Sequence, residues 1–169
     1  MPTIHLATTD HDILRCLPVL LELRPHLREA TFLERIRAQQ TEGYHLALLA
    51  LDDGAVTTVA GFRIQGMLAT DKTLYVDDLV TAPSARSLGH GKAMLHWLID
   101  HARSTACNSF SLDSGTHRQD AHAFYLRERL RITSFHLHLP LTEQADPEKA
   151  DTPKLTAPSP SHPLPVSPA

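Results

Sequence analysis

Little in this sequence of 169 residues suits covalent staples or a membrane. Its two cysteines, Cys16 and Cys107, stand far apart and form no CxxC pair, so neither a disulfide framework nor a zinc ribbon is indicated. No apolar run approaches the roughly 18 residues that a membrane helix needs. The opening "MPTIHLATTD" lacks the basic and apolar regions of a secretory signal, and the expected setting is the cytoplasm. Charge of one sign is missing too. The net charge is −3, and residues 1–140 carry 14 Lys and Arg against 15 Asp and Glu, which leaves no electrostatic footprint for nucleic acid. Histidine is plentiful at twelve but scattered. Only His136 and His138 share a face at strand spacing, and no cysteine or acid flanks them. A half-exposed strand face accounts for them, and no metal site is assigned.

What the chain does hold is clear periodicity over its first 140 residues. "DHDILRCLPVLLELRPHL" spaces Ile13, Leu17, Leu20, Leu21 and Leu27 at helical intervals behind an aspartate suited to capping. Pro18 and Pro25 are expected to kink or divide it. A second helix, "EATFLERIRAQQTEG", carries Phe32, Leu33 and Ile36 on one face and stops at Gly43. The strands "YHLALLAL", "VTTVAGFRIQGM" and "TLYVDDLVTA" follow, the first two joined by a turn at Asp52-Asp53-Gly54. A helix from Leu88 to Ser104 turns Ala93, Met94, Trp97, Leu98 and Ala102 inward. Then come a short strand "NSFSLDSG", a helix "RQDAHAFYLRERL" and a final strand "ITSFHLHLPL". With a strand at 3–7 in front, this order predicts an α+β, or mixed α/β, layered domain over residues 1–140. Its first strands are antiparallel, and one helical crossover joins two parallel neighbours.

From residue 141 onward the composition changes. Eight of the twelve prolines lie in residues 140–169, with no aromatic residue. Such a segment cannot bury enough apolar surface to offset its ordering entropy, so residues 141–169 are expected to form a disordered tail.

The stretch "RSLGHGKAML", residues 86–95, puts two glycines, a histidine and a lysine just ahead of an apolar helical pattern. Uncovered backbone N–H groups at a helix start suit an anion. A nucleotide-hydrolase phosphate loop is excluded, because its first glycine position holds Arg86 and Ala93 follows Lys92. A dinucleotide fingerprint fits poorly, since Met94 stands where a small residue is needed.

Arg86-Ser-Leu-Gly89-His-Gly91 resembles instead the R/Q-x-x-G-x-G/A motif of the GNAT N-acetyltransferase family. Pro83 and Leu79 stand at fitting distances before it, and "AHAFYLRERL" is similar to the family's A-x-x-x-Y helix. The resemblance spans roughly residues 3 to 139. It implies a mixed, mostly antiparallel sheet flanked by helices, with acetyl-CoA held between splayed parallel strands. Arg86, Ser87, Leu88, Gly89, His90, Gly91 and Lys92 would hold its pyrophosphate. On the preceding strand, Leu79, Val80 and Thr81 would line the cofactor; a bulge that the family's strand carries there would leave the Leu79 N–H unpaired to meet the oxyanion, and Thr81 would then pair with pantetheine. Two departures stand out. Arg129-Leu130 replace the family's Gly-Phe after the tyrosine helix, and Arg118 replaces its asparagine near that helix's start.

By the same resemblance the activity is acetyl transfer to a primary amine of a small molecule or peptide, by direct attack in a ternary complex. The partners are acetyl-CoA and that amine, with no nucleic acid or membrane; monomer and homodimer both stay open. Tyr125 is the candidate general acid, because a phenol with its ordinary pKa near 10 is protonated at neutral pH. Tyr75 occupies the place of the glutamate base used in the histone-modifying branch, which leaves Asp77 and Asp78 as candidate bases. Strand alternation is expected to send these two to opposite faces. His117 and His122 are weaker candidates. Asp113 and Ser114 end a parallel strand, where Asp113 either meets the acceptor or caps the next helix. Lys92 and Arg86 either meet phosphate oxygens or, for Arg86, close the turn. The rival readings are a catalytically silent acyl-CoA-binding module of the same fold and an interaction domain recruited through the Pro-rich tail, whose "PSPSHPLP" suits a polyproline II helix.

Overall fold

A computed structural model describes residues 2–141, so the expected tail, Leu141 apart, lies outside the described residues. The chain divides after Ile132. In its first part the elements run β1 (Thr3–Leu6), α1 (Asp10–Leu20), α2 (Glu29–Thr41), β2 (Tyr44–Ala50), β3 (Val56–Met67), β4 (Asp71–Thr81), α3 (His90–Ser104), β5 (Ser109–Leu112) and α4 (Gln119–Arg127). The strands form one sheet in chain order, β1-β2-β3-β4-β5. Three pairings are antiparallel, and α3 is the crossover that makes β4 and β5 parallel.

Period-2 alternation divides the apolar residues between two layers. Tyr44, Leu46, Leu48, Val59 and Val80 pack with Ile13, Cys16, Leu17, Leu20, Phe32 and Ile36 of α1 and α2. Ala47, Leu49, Ala60, Phe62, Leu74 and Val76 pack with Met94, Leu98 and Ala102 of α3. Trp97 is only half-buried, and its ring stacks on His101 at 5.2 Å. Ala93, expected inside, is exposed, while Leu95 is buried; the buried stripe of α3 lies slightly off the anticipated one. Helix α1 is capped not by an aspartate but by Thr9, whose hydroxyl accepts from the Asp12 N–H at 3.1 Å.

The expected final strand does not form. Residues 130–140 take no regular structure, and Phe135, Leu137 and Leu139 are exposed. Alternation gives a segment one apolar face, but a strand also needs a neighbour for its backbone groups, and the pattern alone carries no information about one.

Candidate active site

The site begins where β4 leaves β5. Their pairing runs from Thr73↔Ser109 to Val76↔Leu112 and stops there, while β4 continues to Thr81 beside β3. The β3–β4 register slips at the same point: Phe62 faces Val76 and Gly61 faces Asp78, so Asp77 is an extra, bulged residue. Beyond the bulge, the Ala82 N–H donates to the Thr57 carbonyl on the β3 side at 2.8 Å. Alternation from there turns the N–H groups of Leu79 and Thr81 to the other side, into the gap that β5 has left. The Val80 side chain points into the core under α1.

The bulge overrides the expected separation of the two aspartates. Both carboxylates join one cluster with residues of the α1–α2 face. Asp78 Oδ1 accepts from Arg24 Nε at 2.8 Å, and its Oδ2 lies 3.4 Å from the Tyr44 hydroxyl. Asp77 Oδ1 lies 3.4 Å from Arg63 Nε, and the Arg63 guanidinium sits 5.3 Å over the Tyr44 ring. Asp77 Oδ2 is buried and has no hydrogen-bond partner among the described residues. Burial pushes the Asp77 carboxyl up and outweighs the opposing pull of Arg63; the Asp78 charge adds to the rise, and Arg24 works against it. Tyr75 faces Ser111 in the last rungs of the parallel ladder, and its hydroxyl donates to Asp113 Oδ2 at 2.7 Å. Burial and that carboxylate push the Tyr75 phenol far up, so it stays protonated. Asp113 does not cap α4, whose N-cap position is Arg118.

The turn after β4 relies on main-chain conformation. Gly89 takes φ +85° at the N-cap of α3, and Ser87 also has a positive φ of 63°. No side chain caps this helix start, and its first helical bond is Ala93 N–H to Gly89 O at 2.9 Å. The N–H groups of His90, Gly91 and Lys92 therefore have no intrahelical acceptor. A Cβ at Gly91 would stand 3.2 Å from Thr81 Oγ1, which in turn lies 3.1 Å from Thr58 Oγ1, so the helix start rests closely on the end of β4. Leu88 and Arg86 are exposed, and the Arg86 guanidinium closes no carbonyl among the described residues. His90 Nδ1 is buried and has no partner among the described residues.

Lys92 does not stand free at that turn. Glu128, at the end of α4, bridges Lys92 Nζ at 3.0 Å and His96 Nε2 at 2.8 Å, and these bonds hold its carboxyl below the ordinary range. The bridge fastens α4 to α3. Tyr125, on α4, makes no side-chain hydrogen bond among the described residues, and burial raises its phenol pKa against the opposing charge of Arg118. The helix ends with Leu130 N–H to Tyr125 O and Arg129 N–H to Leu126 O, both at 3.0 Å, with Arg129 at φ +67°. This is the glycine-type Schellman end, formed here by an arginine.

The structure thus brings Asp77 and Asp78 together, and sets the turn 86–92 against Thr81. Helix α4, which carries Tyr125, is tied to α3 through Glu128. Arg24, Tyr44 and Arg63 escaped sequence reasoning, because nothing local links Arg24 to an aspartate 54 residues away. His117 is exposed, with its ring folded against Gly115. Among the described residues, no group of three or more potential ligands is placed to hold a metal, and no helix is long and apolar enough to cross a membrane.

Residues 9–129 match the model of the acetyltransferase (GNAT) family. An uncharacterized N-acetyltransferase of Bacillus subtilis, YhdJ, is 34% identical over 119 residues, which is 70% of this chain and 83% of that protein. Among solved structures, an acetyltransferase of Trypanosoma brucei superposes with a TM-score of 0.69 at 23% identity, covering 83% of this chain and 100% of that one. Glucosamine-6-phosphate N-acetyltransferase from Arabidopsis thaliana does so with a TM-score of 0.69 at 17% identity, covering 84% and 99%.

Proposed function

The chain belongs to the GNAT family of acetyltransferases and is an N-acetyltransferase; from that premise we propose how its own residues carry the transfer. The family uses acetyl-CoA, and the residues present suit it. The uncapped amides of His90, Gly91 and Lys92 form an anion site at the start of α3. The gap between β4 and β5 offers the Leu79 and Thr81 N–H groups to a thioester and its pantetheine arm.

In this scheme the Leu79 N–H donates to the oxygen that gains charge as the amine attacks the thioester carbonyl. Asp77 takes the amine proton. Of the two candidate bases it alone keeps a carboxylate oxygen without a partner among the described residues, whereas both oxygens of Asp78 are engaged by Arg24 and Tyr44. Its raised pKa makes it a stronger base than an ordinary aspartate, and it acts once ionised. Tyr125, kept protonated by burial, gives its proton to the departing thiolate. Lys92 serves the anion through its backbone N–H, its ammonium being held by Glu128. The acceptor is a primary amine on a small molecule or peptide, and the setting is the cytoplasm.

One observation carries this reading: β4 parts from β5 at the bulge, and its open edge leads directly to the uncapped start of α3. The test is calorimetry with acetyl-CoA and adenosine, followed by a thiol-reagent assay of CoA release over a panel of amines. Tight binding of acetyl-CoA over adenosine, with amine-dependent release, is expected. Equal affinity for the two ligands overturns the proposed site. Tyr125→Phe should lower turnover by about 10²-fold, with acetyl-CoA affinity nearly unchanged.

A further inference from the structure

Three elements send side chains to the two residues of the β4 bulge. Arg24, from the connection between α1 and α2, donates to Asp78 Oδ1 at 2.8 Å and approaches the Asp77 carbonyl at 3.4 Å. Tyr44, from β2, brings its hydroxyl to within 3.4 Å of Asp78 Oδ2. Arg63, from β3, faces Asp77. Tyr44 reaches Asp78 by lying across Gly61, the residue directly opposite Asp78 in the ladder. A Cβ at position 61 would collide with the Tyr44 hydroxyl. The Asp78 side chain is only 15% exposed, so little solvent competes with these partners.

A bulge re-aims the strand beyond it. The residue immediately beyond this one is Leu79. Whatever fixes the Asp78 end of the bulge therefore fixes the direction of the Leu79 N–H.

We propose that Arg24 and Tyr44 are positioning residues for acetyl transfer: by clamping Asp78 from opposite sides they hold the β4 bulge so that the Leu79 N–H stays aimed at the reacting carbonyl. The proposal rests on Leu79 as the oxyanion donor. The clamp also sets the surroundings of Asp77. The groups facing that carboxylate are Arg63 from β3, Arg24 from the α1–α2 connection, Asp78 beside it, and the neutral phenols Tyr44 and Tyr75. Removing Arg24 removes a cation, so the acid limb of the pH profile should move to higher pH. Removing the Asp78 charge should move it to lower pH.

The experiment compares Tyr44→Phe, Arg24→Gln and Arg24→Lys with the parent chain, measuring kcat on the pH plateau, KM for acetyl-CoA and the position of the acid limb. Tyr44→Phe keeps the ring over Gly61 and removes one oxygen, so it tests the clamp even if Arg24→Gln fails to fold. Plateau kcat should fall by about 10-fold in Tyr44→Phe and by up to about 100-fold in Arg24→Gln, with KM for acetyl-CoA nearly unchanged. Arg24→Lys should restore the acid limb, because the cation returns, but only part of the plateau, because the fixed guanidinium geometry does not. Plateau kcat retained in folded Tyr44→Phe and Arg24→Lys overturns the clamp, as does a loss confined to KM. An amide-to-ester exchange at Leu79 separates this failure from failure of the premise. If the exchange leaves kcat intact, the oxyanion donor lies elsewhere; if it abolishes turnover while the clamp variants keep theirs, the clamp alone is wrong.

Discussion

The aspartate pair of β4 and the turn before α3, the proposed anion site, are built for charge by opposite means. At β4 the carboxylates are held by side chains that arrive from three other elements. At the turn no side chain among the described residues caps the helix, and uncapped amides plus two positive-φ residues shape the site. The first design can be dismantled one atom at a time. The second fails only when the backbone is crowded or redirected.

Asp77→Asn should break the side-chain half most severely. Loss of the proposed base is expected to cost about 10²-fold to 10⁴-fold in turnover. In the parent, turnover should fall as pH drops through the raised Asp77 pKa, and this limb should vanish in the variant; a pH series of kcat at saturating acetyl-CoA checks both. Gly91→Val should break the main-chain half. Even a Cβ would stand 3.2 Å from Thr81 Oγ1, and a branched side chain overpacks that contact. A loss of about 1–3 kcal/mol in acetyl-CoA binding, roughly 5-fold to 150-fold, is expected by calorimetry, with the fold retained.

A smaller effect sharpens the contrast from the stabilising side. Arg129 holds a left-handed conformation that costs a non-glycine residue about 1–2 kcal/mol, part of which glycine returns as chain entropy. Arg129→Gly should therefore stabilise the chain by about 0.5–1 kcal/mol in denaturant unfolding, with kcat unaltered. The smallest effect belongs to neither half. Truncation after Leu141 removes the proline-rich residues, and we expect melting and CoA release to change by no more than about 0.5 kcal/mol equivalents.

The same contrast governs what the sequence disclosed. Backbone devices leave local marks, so the glycine turn at 89–91 and the order of elements as far as α4 were legible from spacing alone. The β4 bulge leaves none of its own: the family resemblance implies a bulge on this strand, but spacing alone does not place it. Nothing in "YVDDLV" says that one residue is extra, and alternation therefore put Asp77 and Asp78 on opposite faces when they share one. Arg24 and Tyr44 were invisible for a related reason, since their partners lie 54 and 34 residues away. Arg129 stands where the family resemblance places a glycine, and the Schellman bonds of α4 hold it in the left-handed conformation all the same. The strand expected after α4 shows the reverse failure, a strong local pattern over residues that form no regular structure.

The interlock of Tyr44 with Gly61 carries a consequence for how this protein can change over generations. The Tyr44 ring end occupies the space a side chain at 61 would need, so the two positions are expected to change together. A larger residue at 61 is viable only in a lineage that has already lost the tyrosine at 44, and a double-mutant cycle on the pair should be strongly non-additive. Among descendants of this chain, a sequence that carries both a tyrosine at 44 and a side chain at 61 must have rebuilt β4 around the bulge.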